Sequence, residues 1–106
     1  PEQVRVLPIS DKYADYADSV AAKIREHKIY VEADHRAEKL GYKIRDARLA
    51  RVPYILVVGE KEQETGVVSV RSRFLGDEGQ KPLEQFINDI CEEIRTKAIR
   101  KIEVTE

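Results

Sequence analysis

The chain has no methionine, no tryptophan and a single cysteine, Cys91. One thiol excludes an intrachain disulfide. Its place among apolar residues at helical spacing reads as a core thiol in a reducing, cytoplasmic compartment. No apolar run approaches the ~18 residues needed to cross a bilayer, so no membrane partner is expected. Five glycines and four prolines, scattered along the chain, form neither a low-complexity linker nor a glycine-rich phosphate loop. An excess of either charge is missing as well: 19 Lys and Arg face 20 Asp and Glu, for a net −1. The protein is therefore not basic overall, and a nucleic-acid partner would have to be held by a local patch. The 106 residues provide for one domain, 1–106, and an apolar fraction of 42% suffices for a real core. With no initiator methionine before Pro1, the chain reads as a domain excised from a larger protein.

What is present is organised as a small α/β domain. Gln3 to Leu7 reads as a strand closed by Pro8. Ser10 or Asp11 can cap a helix in which Tyr13, Ala17, Val20, Ala21 and Ile24 recur at three- and four-residue spacing. Ile29 to Ala33 alternates as a second strand, and strand–helix–strand predicts a parallel pair. Glu38 to Ala50 reads as a second helix. Leu40, Ile44 and Ala47 lie on one face and Tyr42 and Leu49 nearly opposite, with Gly41 inside it. Either a close backbone approach at Gly41 or a second contact surface for Tyr42 and Leu49 is expected. Tyr54 to Val58 is the best candidate for a central strand. Val67 to Arg73 is expected to pair with it in antiparallel fashion, with Val68 and Val70 on one face and Ser69, Arg71 and Arg73 on the other. Gly76 to Gln80 reads as a loop. Leu83, Phe86, Ile87, Ile90, Cys91 and Ile94 give the cleanest helical stripe, and the tail after Arg95 is expected to fray.

The most informative stretch is basic. Between His35 and Tyr54 stand Arg36, Lys39, Lys43, Arg45, Arg48 and Arg51, against only Glu38 and Asp46. An acidic turn, Glu60 to Glu64, follows the central strand. A solvated helix face is the bland reading of such a charge run. However, Arg71 and Arg73 share a strand face beside the turn that holds Glu62. Cations beside an isolated carboxylate can grip phosphates and also select bases, because Arg recognises guanine acceptors and a carboxylate accepts from base N–H groups. Those edges are open in unpaired RNA nucleotides. Tyr42 or Tyr54 could add stacking. Catalytic chemistry is poorly served: there is no Cys-His or His-His metal spacing and no serine with a base nearby. His35 beside Asp34 and Arg36 is a weak acid/base candidate, and Glu60, Glu62 and Glu64 lack the further ligands a divalent ion needs.

The run Ala33-Asp34-His35-Arg36-Ala37-Glu38-Lys39-Leu40-Gly41-Tyr42-Lys43-Ile44-Arg45 resembles the signature of the C-terminal anticodon-binding domain of threonyl-tRNA synthetase, a class II enzyme. Arg51-Val52-Pro53-Tyr54, Val57-Val58-Gly59-Glu60-Lys61-Glu62, Val70-Arg71 and Glu93-Ile94-Arg95 continue the likeness over nearly the whole chain. Prolyl, histidyl and glycyl relatives share the fold and the apolar strand but not typically the Gly-Tyr-Lys-Ile-Arg run or the Glu-Lys-Glu turn. The resemblance implies a three-layer domain with a mixed, mostly parallel five-stranded sheet and three helices. It implies that the chain binds the anticodon loop of threonine tRNA and reads its G and U. By the same carry-over Glu62 and Arg71 read bases. Arg36, Lys39, Lys43, Arg45, Lys61 and Arg73 are expected on the RNA backbone or near the anticodon. ATP-dependent threonine attachment and zinc are implied for a catalytic domain outside this chain, in a parent that is a homodimer. No catalytic residue and no cofactor is expected here. At Ala37 bacterial members often have Asn, so either His35 or Arg36 substitutes there or one contact is missing. A protein-interaction module on the same fold is the alternative, and a small hydrolase or transferase using His35 a distant third.

Overall fold

A computed structural model describes the backbone of residues 3–73 and 76–105, with side chains as far as residue 96. Five strands form one sheet: β1 (Val4–Pro8), β2 (Val31–Ala33), β3 (Tyr54–Val58), β4 (Val67–Ser72) and β5 (Gly76–Pro82). Their order is β2-β1-β3-β4-β5. β1 runs parallel to both β2 and β3, while β3–β4 and β4–β5 are antiparallel. The sheet is therefore evenly mixed rather than mostly parallel. Four α-helices are described, one more than expected: α1 (Ala14–Arg25), α2 (Leu40–Leu49), α3 (Glu60–Thr65) and α4 (Leu83–Thr105). No helix among the described residues is long and apolar enough to cross a membrane.

The layers follow from side-chain alternation. Val4, Val6, Leu56, Val58, Val68 and Val70 face one side and pack on Ala17, Val20, Ala21 and Ile24 of α1 and on Leu83, Phe86, Ile87 and Ile90 of α4. Leu7 and Ile55 face the other side, where a smaller core includes Ala47 of α2 and Val52, flanked by Leu40, Ile44 and Val57. This gives α1/α4, sheet, α2.

Several segments depart from the sequence reading, each for a local reason. α2 begins at Leu40, after a Lys39 held in extended geometry. The Glu60–Glu64 turn is a helix: Glu62, in its first turn, accepts the Gly59 N–H at 2.8 Å, and Gly66 ends it at φ +69°. Gly76 to Pro82 is a strand and not a loop, because ladder pairing to β4 outweighs its polar, glycine-bearing composition. α4 does not fray after Arg95 but continues to Thr105, as Lys, Arg, Glu and Ala favour helix. A Cβ added at Gly41 would meet nothing within 4 Å. A close backbone approach there is excluded, and Tyr42 and Leu49 are left exposed at 51% and 76%.

Candidate nucleic-acid interface

α2 packs on the sheet over Leu7 of β1 and Ile55 of β3. The same face continues across β4 and β5. Ser69 and Arg71 stand there half-buried, with Gln80 and Asp77 as their exposed partners across the β4–β5 ladder. Arg71 sits directly opposite Ile55 in register, so its guanidinium rises from the α2 side of the sheet. Its Nη2 lies 4.0 Å from Asp77 Oδ2, a long and half-exposed pair worth little.

Glu62 reaches this face from α3. One carboxylate oxygen caps the Gly59 N–H, and the other accepts the Gln80 side-chain amide at 2.6 Å. Gln80 pairs across from Ser69, two residues before Arg71 on the strand. The carboxylate and the guanidinium are thus linked through Gln80 and Ser69 to one face of the sheet, each partly exposed and neither sealed in the core. Sequence reasoning missed Gln80 because it lay in the stretch read as a loop.

The remaining candidates divide by how they are held. Lys39, Arg45 and Lys61 are exposed, and no side-chain partner engages them among the described residues. Arg73 is exposed just beyond β4, where its N–H donates to the Pro53 carbonyl at 2.8 Å. Arg36 is committed internally. It donates to both Asp34 carboxylate oxygens at 2.9 and 2.7 Å and to Asp46 at 2.8 Å, and it lies 5.6 Å from the centroid of the Tyr42 ring. Asp46 also receives Arg5 at 3.4 Å. The two carboxylates hold the Arg36 guanidinium proton above its ordinary range, and the Arg36 hydrogen bonds hold the Asp34 carboxyl below its own.

Lys43 is placed differently from the expectation that it lies among the RNA-facing cations. It occupies the buried stripe of α2 at 4% exposure, and its Nζ donates to the Asp34 backbone carbonyl at 3.0 Å. The four-carbon stem runs along apolar surface while the ammonium finds a fixed acceptor. His35 points towards α1, where Nε2 lies 2.6 Å from Asp18 Oδ1. Ala37 is exposed with both flanking candidates engaged elsewhere. Among the described residues no three His, Cys, Asp or Glu side chains form a group able to hold a metal ion.

A second feature went unremarked in the sequence. Arg48, Arg51, Arg71 and Arg73 line one cleft of about 290 Å³ floored by Val52 and Ile55. Arg51 enters it through an unusual turn. The Arg51 N–H donates to the Arg48 carbonyl and the Val52 N–H to the Ala47 carbonyl, the double bond that closes a Schellman helix end. Glycine normally occupies the left-handed position; here Arg51 does, at φ +59°, at a cost of about 1 kcal/mol. Only the basic count around α2 hinted at these two arginines.

The family described as anticodon binding domain matches residues 3–93. The threonine–tRNA ligase of Clostridium perfringens (strain 13) is 62% identical over 97 residues, covering 92% of this chain and 15% of that protein. The threonine–tRNA ligase of Caldanaerobacter subterraneus subsp. tengcongensis is 54% identical over 99 residues, with coverage of 93% and 15%. The chain thus spans about 15% of the length of these relatives. Among solved structures, the RNA binding domain of threonyl-tRNA synthetase from Cryptosporidium parvum Iowa II has a TM-score of 0.82 at 33% identity, covering 87% of this chain and 23% of that one. A histidyl-tRNA synthetase from Nostoc has a TM-score of 0.81 at 18% identity over 89% of this chain and 23% of that one, a likeness of fold alone.

Proposed function

The chain belongs to the anticodon binding domain family, and on that premise we propose that it reads the anticodon of threonine tRNA for a threonine–tRNA ligase. The threonyl assignment is supported by 62% identity over 97 residues to a protein of that name. The parent would attach threonine with ATP, carry its zinc in another domain, work as a homodimer and reside in the cytoplasm.

Threonine codons begin A-C, so the tRNA presents G and U as its second and third anticodon bases. The observation that carries the reading is the shared sheet face: Glu62 accepts the Gln80 side-chain amide, Gln80 pairs across from Ser69, and Arg71 follows Ser69 on the same face of β4. Arg71 can donate to the O6 and N7 acceptors of an unpaired G, and Glu62 can accept base N–H groups with the lone pairs left after Gly59 and Gln80. Lys39, Arg45 and Lys61 are free to neutralise the loop's phosphates. Arg36 and Lys43, bound internally, act by holding the loop and α2 in place. Position 37 then contributes no side-chain contact.

The test is a binding titration with a threonine anticodon stem-loop and a loop in which the anticodon G is replaced. Arg71→Ala should weaken the native loop by about 1–3 kcal/mol and remove most of the preference for G. Equal weakening of both loops would sink base reading by Arg71. The exposed Tyr42 and Leu49 favour a second reading, a protein-interaction module. A wild type without preference among loops, together with capture by an acidic protein, would support that instead.

A further inference from the structure

We propose that His35 is a positioning residue: its contact with Asp18 clasps the loop between β2 and α2 to α1, and so sets where Lys39 meets the RNA. The proposal rests on the anticodon reading for its ligand and deepens it, because it accounts for how a loop outside the sheet is held ready.

The loop, residues 34–39, has little of its own to hold it. The Glu38 N–H donates to the Arg36 carbonyl at 2.8 Å, and the Arg36 N–H donates to Asp34 Oδ1 at 3.1 Å. The chain then enters α2 through Lys39, whose extended backbone brings no side-chain cap to the helix; Ser, Thr, Asp or Asn would normally supply one. Two successive residues anchor the loop from outside, and they pull towards opposite layers. Arg36 reaches Asp46 on α2 at 2.8 Å. His35 reaches Asp18 on α1 at 2.6 Å, across 17 residues of sequence. An ionised carboxylate only accepts, so Nε2 carries the proton and donates. Among the described residues this is the one side-chain hydrogen bond that joins the loop to α1. The clasp also links two segments that line one hollow of about 340 Å³: Pro8 to Asp11, which leads into α1, and His35 to Lys39. With Arg36 alone the loop can pivot about a single anchor. With both, Lys39 is fixed relative to α1 and α2 together. Lys39 is exposed, and a loop already in place spares the RNA the cost of ordering it.

The experiment measures binding of the threonine anticodon stem-loop, and of the loop with its G replaced, together with the melting temperature of each protein. The proteins are wild type, His35→Ala, Asp18→Ala, their double variant, His35→Gln, Lys39→Ala and the His35→Ala/Lys39→Ala pair. Each alanine change at the clasp should weaken the native loop about two- to fivefold, the range that an exposed pair supplies. The double variant should be no weaker than either single one, since two residues that act as a unit do not add. His35→Gln, whose amide can still donate to Asp18, should recover most of the loss. Adding His35→Ala to Lys39→Ala should cost nothing further, because His35 acts through Lys39, and each of these two changes alone should lower the salt slope. Losses that add across His35, Asp18 and Lys39, or that follow the melting temperature through the series, overturn the clasp. A wild type that prefers the native loop, with clasp variants that bind as it does, also overturns the clasp and leaves base reading standing. A wild type without preference, whose variants nonetheless weaken as a unit, keeps the clasp and sinks base reading.

Discussion

Replacing Lys43 by Met asks whether a lysine in the middle of a basic segment serves RNA or the fold. The side chain is 4% exposed, and its ammonium has the Asp34 carbonyl as acceptor at 3.0 Å. Methionine retains much of the stem's volume, so the cavity term is small. The variant loses one hydrogen bond from a charged donor, about 1.5–3 kcal/mol, and leaves the Asp34 carbonyl without that donor. Relief from burying an ammonium offsets part of this. A net loss of about 1–3 kcal/mol is expected, which in a domain of this size lowers the melting temperature by on the order of 5–20 °C. The carboxyl of Asp34 also loses one of the cations that hold its proton affinity down. The assay pairs thermal unfolding with the salt dependence of stem-loop binding at a temperature where both proteins are folded. The expected outcome is a lower melting temperature and an unchanged slope. A slope reduced by roughly 0.7 with unchanged stability would refute the argument and make Lys43 a phosphate contact.

Two further outcomes test neighbouring residues. Glu62→Ala removes the acceptor for the Gly59 N–H and for Gln80; a loss of about 0.5–2 kcal/mol is expected in a urea titration, with Glu62→Gln losing less because one amide oxygen can still cap α3. Equal stability in all three proteins would mean that the cap holds nothing. Asp34 has its folded carboxyl depressed below the ordinary value, first by Arg36. Its contribution is therefore complete above the unfolded value of about 3.9 and is lost as pH falls through the lower, folded one. Melting temperature followed from pH 5 to pH 2 should fall less steeply for Asp34→Asn than for wild type, and parallel curves would exclude Asp34 from the acid limb.

Periodicity made the core legible. The stripe of α4 and the apolar run of β3 follow from spacing alone: Leu83, Phe86, Ile87, Ile90, Ile55, Leu56 and Val58 are buried, Tyr54, Val57 and Cys91 partly so, and Ile94 is exposed. Alternation also placed Arg71 opposite the buried faces of Val68 and Val70. What was hidden depends on partners distant in the chain. Composition marks a lysine as surface, and only the packing of α2 beside Asp34 shows why Lys43 is inside. The β5 segment reads as a loop because two glycines and charged residues carry no strand signal; its order comes from the ladder to β4. Gln80 was invisible for the same reason. The arginine cleft needs Arg48 and Arg51 of one helix end to meet Arg71 and Arg73 of a strand end, a meeting set by the β3–β4 register and the turn at Arg51.

The outermost strand of the sheet carries one more consequence. Among the described residues β5, seven residues long, is the outermost strand on its side of the sheet, the kind of rim on which a foreign chain could add itself. Its register slips between Val70 and Arg71, where Gly79 takes φ +79°, so the outward row of amides is broken and twisted. Asp77, Glu78 and Lys81 add charge along it, and Pro82 removes a donor at its end. These are the devices by which natural sheets resist fusing with one another. They let the module keep a bare platform of strand beside its margin without becoming a seed for fibrous assembly.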